Sequence, residues 1–264
     1  MKSTLGAPAV QASTAGQRRH RNVMVRLGGP RIEPYYQLAG GHSRNAVALY
    51  RWNIQLSAAF MELLAVVEIV VRNAMHEQLS TWCHTNGGTC DWLTDHSDLP
   101  DPLAPLFTAI RSGAVSYAMD AKDVRDGNPA HRRSGQPLAE GDVLSQISFG
   151  KWHGLVPSHE AQWKDPTTNG YRRRVWNEAL CRAFAPGTDP DEVRWLLYRL
   201  SYFRNRVAHH ECIISAPLRA GRNHPLRQRL RDTFHMAELI DNDVHHLLTA
   251  MNQVSPILNK CPVP

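Results

Sequence analysis

Little in this sequence supports an oxidised, metal-bound or nucleotide-hydrolysing protein. Its five cysteines are odd in number and scattered, at positions 83, 90, 181, 212 and 261, so they indicate no disulfide framework. A reducing cytoplasm is therefore the location we expect. Neither the phosphate-binding loop G-x-x-x-x-G-K-[ST] nor the dinucleotide fingerprint G-x-G-x-x-G occurs. P-loop and dinucleotide-binding functions thus lack sequence support, and we expect no cofactor.

Two short patterns resemble metal sites without completing one. In "HHECII" (209–214), the zinc-protease motif H-E-x-x-H would need a second histidine where Ile214 stands. In "WCHTNGGTCDW" (82–92), Cys83, His84 and Cys90 form no C-x-x-C pair, and further ligands are ambiguous. We expect an ordinary loop at 85–89 and no metal.

The sequence also lacks an uninterrupted membrane-spanning run. The most apolar stretch, "AAFMELLAVVEIVV" (58–71), is short and contains Glu62 and Glu68. The first 26 residues lack the apolar core of a secretory signal, and they carry basic but no acidic residues. We expect a flexible basic arm over 1–29, either a solvated tail or an RNA-contacting segment, followed by one helical domain over 30–264.

Apolar periodicity predicts an all-α protein, because no segment alternates as a strand would. The longest predicted helix covers 43–81, with Ser43 as its cap and with or without a kink. Asp189 and Pro190 are expected to begin the helix that ends in the polar stretch described next. The other predicted elements are helices at 101–119, around 171–184 and from Asn223 and Pro225 to Met251, a polar loop at 120–137, and a short helix and tight turn within 138–157.

The stretch "FRNRVAHHE" (203–211) concentrates groups that bind phosphate and transfer protons. On a helix, Asn205 and His209 share one face, and Arg206 and His210 share another. Arg204 precedes His209 by five positions, about 140° round the helix, so both are expected to flank a phosphate without bonding each other. Eight arginines and one acidic residue lie between Arg199 and Arg231, in a chain whose net charge is +6. A solvated helix face is the alternative interpretation.

Three stretches, in order, resemble the Abi-like (abortive infection) branch of the HEPN-domain ribonucleases. "YFRNRVAHHECI" (202–213) is similar to the family's R-N-x-x-x-H motif. "ALYRWNIQLSAAFMELLAVVEIVVRNAMHEQL" (48–79) resembles its "LYxWN" and "ExxxRNAxH" elements, and "LSQISFGKWHGL" (144–155) its "LSFGFW" turn. Together they span roughly residues 30–215. The resemblance implies a HEPN-like helical bundle with an elaborated loop and helix insertion.

The resemblance also implies metal-independent RNA cleavage by attack of a 2′-hydroxyl on the adjacent phosphate. His209 would act as general base or acid, Arg204 would neutralise the phosphate charge, and Asn205 would orient the histidine or donate to the phosphate. His210, Arg206 and Glu211 would support catalysis or bind RNA. The implied partners are RNA, a second copy in a homodimer, and an RNA or protein antitoxin.

A further set of residues from the other two stretches is expected to support the site. Glu68, Arg72 and Asn73 either assist it or, for Glu68 and Arg72, form an ion pair within their own helix. Lys151 stands where the family usually has an aromatic residue and adds a cation. Cys212 replaces a common proline, and Glu211 occupies the position of a tyrosine that is modified in some HEPN toxins, which argues against that control here.

Two other functions remain open from sequence alone. One is a non-catalytic RNA-binding or regulatory module with the same fold. The other is a helical protein-interaction scaffold, whose binding would lack the steep salt dependence of an RNA contact.

Overall fold

The computed structural model describes residues 15–86, 92–94, 99, 101, 103–111, 113–216, 218 and 224–263. Over these ranges the regular structure consists of α-helices and two short 3₁₀ helices, Phe149–Leu155 and Leu180–Ala183, without a strand. The predicted all-α class is therefore confirmed. The helices are α1 (Ala15–Leu27), α2 (Gly29–Leu38), α3 (Ser43–Thr85), α4 (Leu103–Arg111), α5 (Ala114–Asp126), α6 (Glu140–Gln146), α7 (Ala161–Lys164), α8 (Pro166–Glu178), α9 (Pro190–Ala208), α10 (Pro225–Ile240), α11 (Asn242–Met251) and α12 (Val254–Leu258).

Helix α3 is the central element of the fold. It forms one helix over the predicted 43–81 region, with His42 and not Ser43 at the N-cap position. Buried residues recur from Ala46 to Cys83, and they pack against α1, α2, α9, α10 and α12. This periodic apolar face stabilises a helix of about 65 Å, because burial of each large apolar side chain contributes roughly 1.5–3 kcal/mol to the free energy of folding.

By length and composition alone, α3 could also cross a membrane. The mean hydropathy of its most apolar 18-residue window is 2.0, and 44% of that window is buried inside the protein. A core helix has the same properties, so the expected absence of a membrane segment remains a prediction.

The N-terminal region differs from the flexible arm expected over residues 1–29. Residues 15–27 form α1, and its Met24 and Leu27 pack against the core. These two residues are three positions apart, so a single helical face can cover α3 with an otherwise polar sequence. Residues 1–14 lie outside the described part of the chain, and the division into arm and domain remains a prediction.

Several of the other helices begin or end at residues that differ from the predicted bounds. The predicted 101–119 helix is two helices, because Gly113 has φ +82°, and α5 extends into the predicted loop at 120–137. The 171–184 helix begins earlier, at Pro166 after a capping Asp165, and ends in 3₁₀ geometry. Asp241 divides the last predicted helix into α10 and α11. Asn223 lies outside the described residues.

Helix α9 carries the polar stretch to the surface of α3. The Asp189 carboxylate accepts the backbone N–H of Asp191 at 2.9 Å, which confirms the predicted cap. The Phe203 ring meets the Phe60 ring of α3 edge to face, with centroids 4.9 Å apart. This contact places the next residue, Arg204, beside the central helix.

Candidate active site

Arg204 is held by the central helix. Its Nε donates to Oε2 of Glu68 at 3.1 Å, and the two side chains are partly buried, with 37% and 16% of their surface exposed. No other side-chain hydrogen bond engages Arg204 among the described residues, so Nη1 and Nη2 face solvent or a ligand. The ion pair therefore fixes the guanidinium from one side and leaves its outer edge for an anion.

Asn205 and His209 lie exposed one helical turn apart. Their backbones are joined by the last α-type hydrogen bond, from the His209 N–H to the Asn205 carbonyl at 2.9 Å. Their side chains make no hydrogen bond to another described residue, and none joins Arg204 to His209. The structure thus agrees with the expectation that Arg204 and His209 do not bond one another.

The motif histidines follow the end of the helix, whereas the sequence predicted a helix through 210. His209 is the C-cap, and His210 adopts the left-handed conformation with φ +56°. The Glu211 N–H returns to the Arg206 carbonyl at 3.0 Å, and the His210 N–H to the Val207 carbonyl at 3.0 Å. This is a Schellman turn with histidine where glycine is usual, a local strain of the kind that accumulates at functional sites.

Arg206, His210 and Glu211 occupy a second face of the helix end. Arg206 Nε lies 3.0 Å from Glu211 Oε2, and its Nη2 donates to the Cys212 carbonyl. Arg31 of α2 donates to the His210 carbonyl at 2.9 Å. An open pocket of about 730 Å³ lies between α2 and this turn.

Arg31 is the residue near the motif that sequence reasoning missed. It lies in a segment with no matching motif, and it reaches the turn from 179 positions away in sequence. Its hydrogen bond to the His210 carbonyl stabilises the turn after α9 and adds a cation to the same surface. Only a contact between distant segments could have identified it.

Asn53, the asparagine of the "LYxWN" element, anchors the segment after the motif. Its side chain is fully buried, with Nδ2 donating to the Glu211 carbonyl at 3.1 Å and Oδ1 accepting the Ile213 N–H at 2.9 Å. Between these contacts lies Cys212, whose thiol pKa is raised by burial. The family-like stretch 48–79 therefore holds the end of the stretch 202–213 in place.

The other predicted residues of α3, Glu68, Arg72 and Asn73, make different contacts. The alternative of an ion pair between the described side chains of Glu68 and Arg72 is not observed, because Glu68 pairs with Arg204 and Arg72 Nη1 donates to the Ser145 carbonyl at 3.3 Å. Arg72 thereby joins α3 to the "LSQISFGKW" stretch. Asn73 is exposed on α3, without a side-chain hydrogen bond to a described residue.

Lys151 lies in the 3₁₀ helix Phe149–Leu155, which packs on α9. The preceding Gly150 faces Ser201, so that a Cβ placed on it would lie 3.8 Å from the serine side chain. Lys151 itself is exposed. The "SFGKW" turn is therefore placed one helical turn before Arg204, and all three family-like stretches meet around α9.

No cluster of three or more His, Cys, Asp or Glu residues suited to a metal ion occurs in the described part of the chain. Cys90 of the alternative zinc pattern lies outside it. Comparison with protein-family models, curated proteins and solved structures finds no match to this chain.

Proposed function

We propose that this protein is a metal-independent endoribonuclease of the HEPN type, with Arg204, Asn205 and His209 as its catalytic residues. The observation that carries the proposal is the Arg204–Glu68 contact of 3.1 Å. It joins the R-N-x-x-x-H motif to the glutamate of the "ExxxRN" element, 136 positions away. Two stretches selected separately for their resemblance to one family thus meet at the guanidinium that the mechanism requires.

The proposed reaction is a transesterification that needs no co-reactant. A base removes the proton of the RNA 2′-hydroxyl, the oxygen attacks the adjacent phosphorus, and the bond to the 5′-oxygen breaks. An acid protonates the departing 5′-oxygen, so the products are a 2′,3′-cyclic phosphate and a 5′-hydroxyl. His209 serves as base or acid because an imidazole nitrogen can accept or donate a proton.

The other motif residues stabilise the reacting phosphate in this scheme. The outer edge of Arg204 offers two N–H groups to the phosphate oxygens as negative charge develops on them. Asn205, one turn before His209, orients the imidazole or donates to the phosphate. Arg31 and Arg206, on the neighbouring face, bind the RNA backbone beyond the cleaved bond.

A homodimer completes the proposed site. Cyclising cleavage benefits from both a base and an acid, and a two-fold axis near the end of α9 would place two copies of the motif around one cleft. Glu68 and Glu211 each neutralise one arginine per chain, which reduces repulsion between the two motifs.

The proposed biological role is that of a toxin in abortive infection, a cytoplasmic anti-phage defence. RNA is the substrate, and an RNA or protein antitoxin would restrain the enzyme in uninfected cells. Induced expression followed by transcriptome-wide mapping of new RNA ends would identify the cleaved sequences.

The decisive test is cleavage of single-stranded RNA by the purified protein in excess EDTA. We expect 2′,3′-cyclic phosphate ends, since no step requires a metal. Binding without cleavage, at any protein concentration and with Arg204 and His209 intact, would instead support the alternative of a non-catalytic RNA-binding or regulatory module. Binding with little salt dependence would favour a protein-interaction scaffold.

A further inference from the structure

Helix α9 exposes three aromatic side chains in a line that leads to the motif. Trp195, Tyr198 and Tyr202 are 58%, 49% and 59% exposed, and their spacing of three and four places them on one helical face. Asn205 and His209 continue the same spacing. We call Trp195, Tyr198 and Tyr202 the aromatic stripe. At about 1.5 Å per residue, it begins roughly 21 Å before His209.

A cleft of about 810 Å³ opens at the far end of the stripe. Trp195 and Tyr198 of α9 line it, and so does Trp163 of α7, which is 76% exposed. This volume falls within the range of small-molecule sites. The exposed rings offer flat faces on which a planar group can stack.

The polar groups of the cleft have no strong net charge. Arg194 donates through Nη1 to the His153 and Val156 carbonyls, both at 2.6 Å, and Nε and Nη2 bond no other described residue. Opposing this cation, Asp191 accepts the His159 N–H at 2.8 Å and lines the cleft. Donors and acceptors thus surround a neutral, aromatic-walled space.

His153 adds a neutral ring to the cleft. Burial and the nearby charges of Arg194 and Arg172 lower its pKa to about 4, so it is uncharged at neutral pH. Glu160, at the rim, is paired with Lys164. An anionic phosphate therefore gains less here than at the arginines of the motif, whereas a nucleobase matches both the flat rings and the mixed polar edge.

The stripe itself favours a nucleic acid over a protein partner. Every large hydrophobic side chain that α9 exposes is a Trp or Tyr, and its aliphatic residues Val193, Leu196, Leu197, Leu200 and Val207 are buried. Base stacking on aromatic rings, beside a basic surface, is the usual mode of binding to single-stranded RNA. The arginines at the end of the stripe supply that basic surface.

We infer that the cleft and the aromatic stripe bind unpaired bases of single-stranded RNA several nucleotides away from the cleaved phosphate. The strand runs along α9, with bases on Trp163 or Trp195 in the cleft and further bases on Tyr198 and Tyr202. This inference rests on the proposed function and specifies its substrate as unpaired RNA. Duplex RNA cannot use the stripe, because its bases are already stacked on one another.

The test uses the full chain carrying His209→Ala, so that RNA is bound and not consumed. The affinity for a fluorescein-labelled 12-nucleotide oligoadenylate is measured by anisotropy with Trp195→Ala, Tyr198→Ala and the double variant. Tyr117→Ala, which removes an exposed tyrosine of α5, is the matched control. Thermal melting checks that each variant is folded.

We expect each stripe variant to weaken binding about tenfold, since loss of one stacked base costs roughly 1–3 kcal/mol and 1.4 kcal/mol is tenfold. The control should bind unchanged, and a duplex of the same length should show no difference between variants. Stripe variants that bind single-stranded RNA as tightly as the control would overturn the inference. A stripe variant that becomes monomeric while binding RNA normally would also overturn it, because the stripe would then be a self-association surface.

The inference and the proposed function fail separately. If the enzyme with His209 intact cleaves RNA but the stripe variants bind like Tyr117→Ala, only the inference is wrong. If the unmodified protein neither binds nor cleaves RNA, the proposed function is wrong, and the inference falls with it.

Discussion

The guanidinium of Arg204 is fixed from its Nε side by Glu68, whose Oε2 lies 3.1 Å away, while its Nη atoms bond no described residue. The contact joins α9 to the central helix, which the neighbouring Phe203 also meets through the ring of Phe60. A partly buried carboxylate thus sets the direction in which the guanidinium points.

Arg204→Lys is expected to impair RNA cleavage severely, although it keeps the positive charge. A lysine can pair with Glu68 or approach the phosphate, but its single ammonium lacks the planar fork that permits both at once. The measurement is the single-turnover cleavage rate. Arg174→Lys, which alters an exposed arginine paired with Glu178 on α8, is the control. Near-normal cleavage by Arg204→Lys would show that charge alone suffices.

Glu68→Gln separates positioning from charge at the same contact. The amide keeps a hydrogen-bond acceptor for Arg204 and removes the negative charge, so RNA binding should hold or tighten while the cleavage rate falls. Separate measurement of the RNA dissociation constant and the single-turnover rate tests this. Equal loss of both quantities would mean that Glu68 merely stabilises the fold.

Asn53→Ala is expected to destabilise the protein and misplace the motif turn. It leaves the part-buried Glu211 carbonyl and the buried Ile213 N–H without their partner, at roughly 1–3 kcal/mol for the buried group. Urea unfolding gives the free-energy change. Asn73→Ala, on the exposed side of the same helix, should change it by less than about 0.5 kcal/mol. A similar small effect for Asn53→Ala would contradict the anchoring role.

The pH dependence of stability should carry a contribution from His153. Its folded pKa, about 4, lies below the usual value of 6.5 because of burial and the Arg194 and Arg172 charges. Between these values the unfolded chain binds the proton and the folded chain does not. The contribution of His153 to the free energy of unfolding is therefore fully present above about pH 6.5 and is lost as the pH drops toward 4. Urea unfolding of His153→Gln between pH 7 and pH 4 should show a shallower decline, whereas the exposed His246→Gln should follow the unmodified protein. Parallel curves for both variants would contradict the assignment.

Subunit mixing tests whether two chains share one site. We expect the unmodified protein to be a dimer at micromolar concentration by light scattering, and RNA or phosphate should tighten it by relieving repulsion between the arginines. His209→Ala and Arg204→Ala subunits, each inactive alone, should regain part of the activity when mixed, because a hybrid retains one wild-type residue of each kind from different chains. A monomer that still cleaves RNA would refute the shared site.

The sequence predicted much of the framework, because that information is local. Apolar periodicity identified α3 and α9, and the Asp189–Pro190 pair located the start of α9. Helix ends were predicted less well. Asp241 and Gly113 interrupt periodic segments, and α1 needs only Met24 and Leu27 to attach to the core, which leaves little signal in its sequence.

The contacts that arrange the candidate site are long-range and could not be predicted. A spacing of four suggested that Glu68 pairs with Arg72, but α9 brings Arg204 to Glu68 instead. The roles of Arg31 and Asn53 in holding the turn at His210 also depend on segments far apart in the chain. Motif order indicated that these stretches act together, and only tertiary packing shows how they touch.

The most direct test of the account is the rate of metal-free RNA cleavage by His209→Ala beside His246→Ala, which removes an exposed histidine from the adjacent-histidine pair of α11. We expect the His209 variant, in EDTA and with an unchanged melting temperature, to lose on the order of 10²–10⁴ in rate while its induced expression no longer arrests growth. The His246 variant should cleave like the unmodified protein. Cleavage by folded His209→Ala at the unmodified rate would contradict the central claim that this histidine transfers the proton.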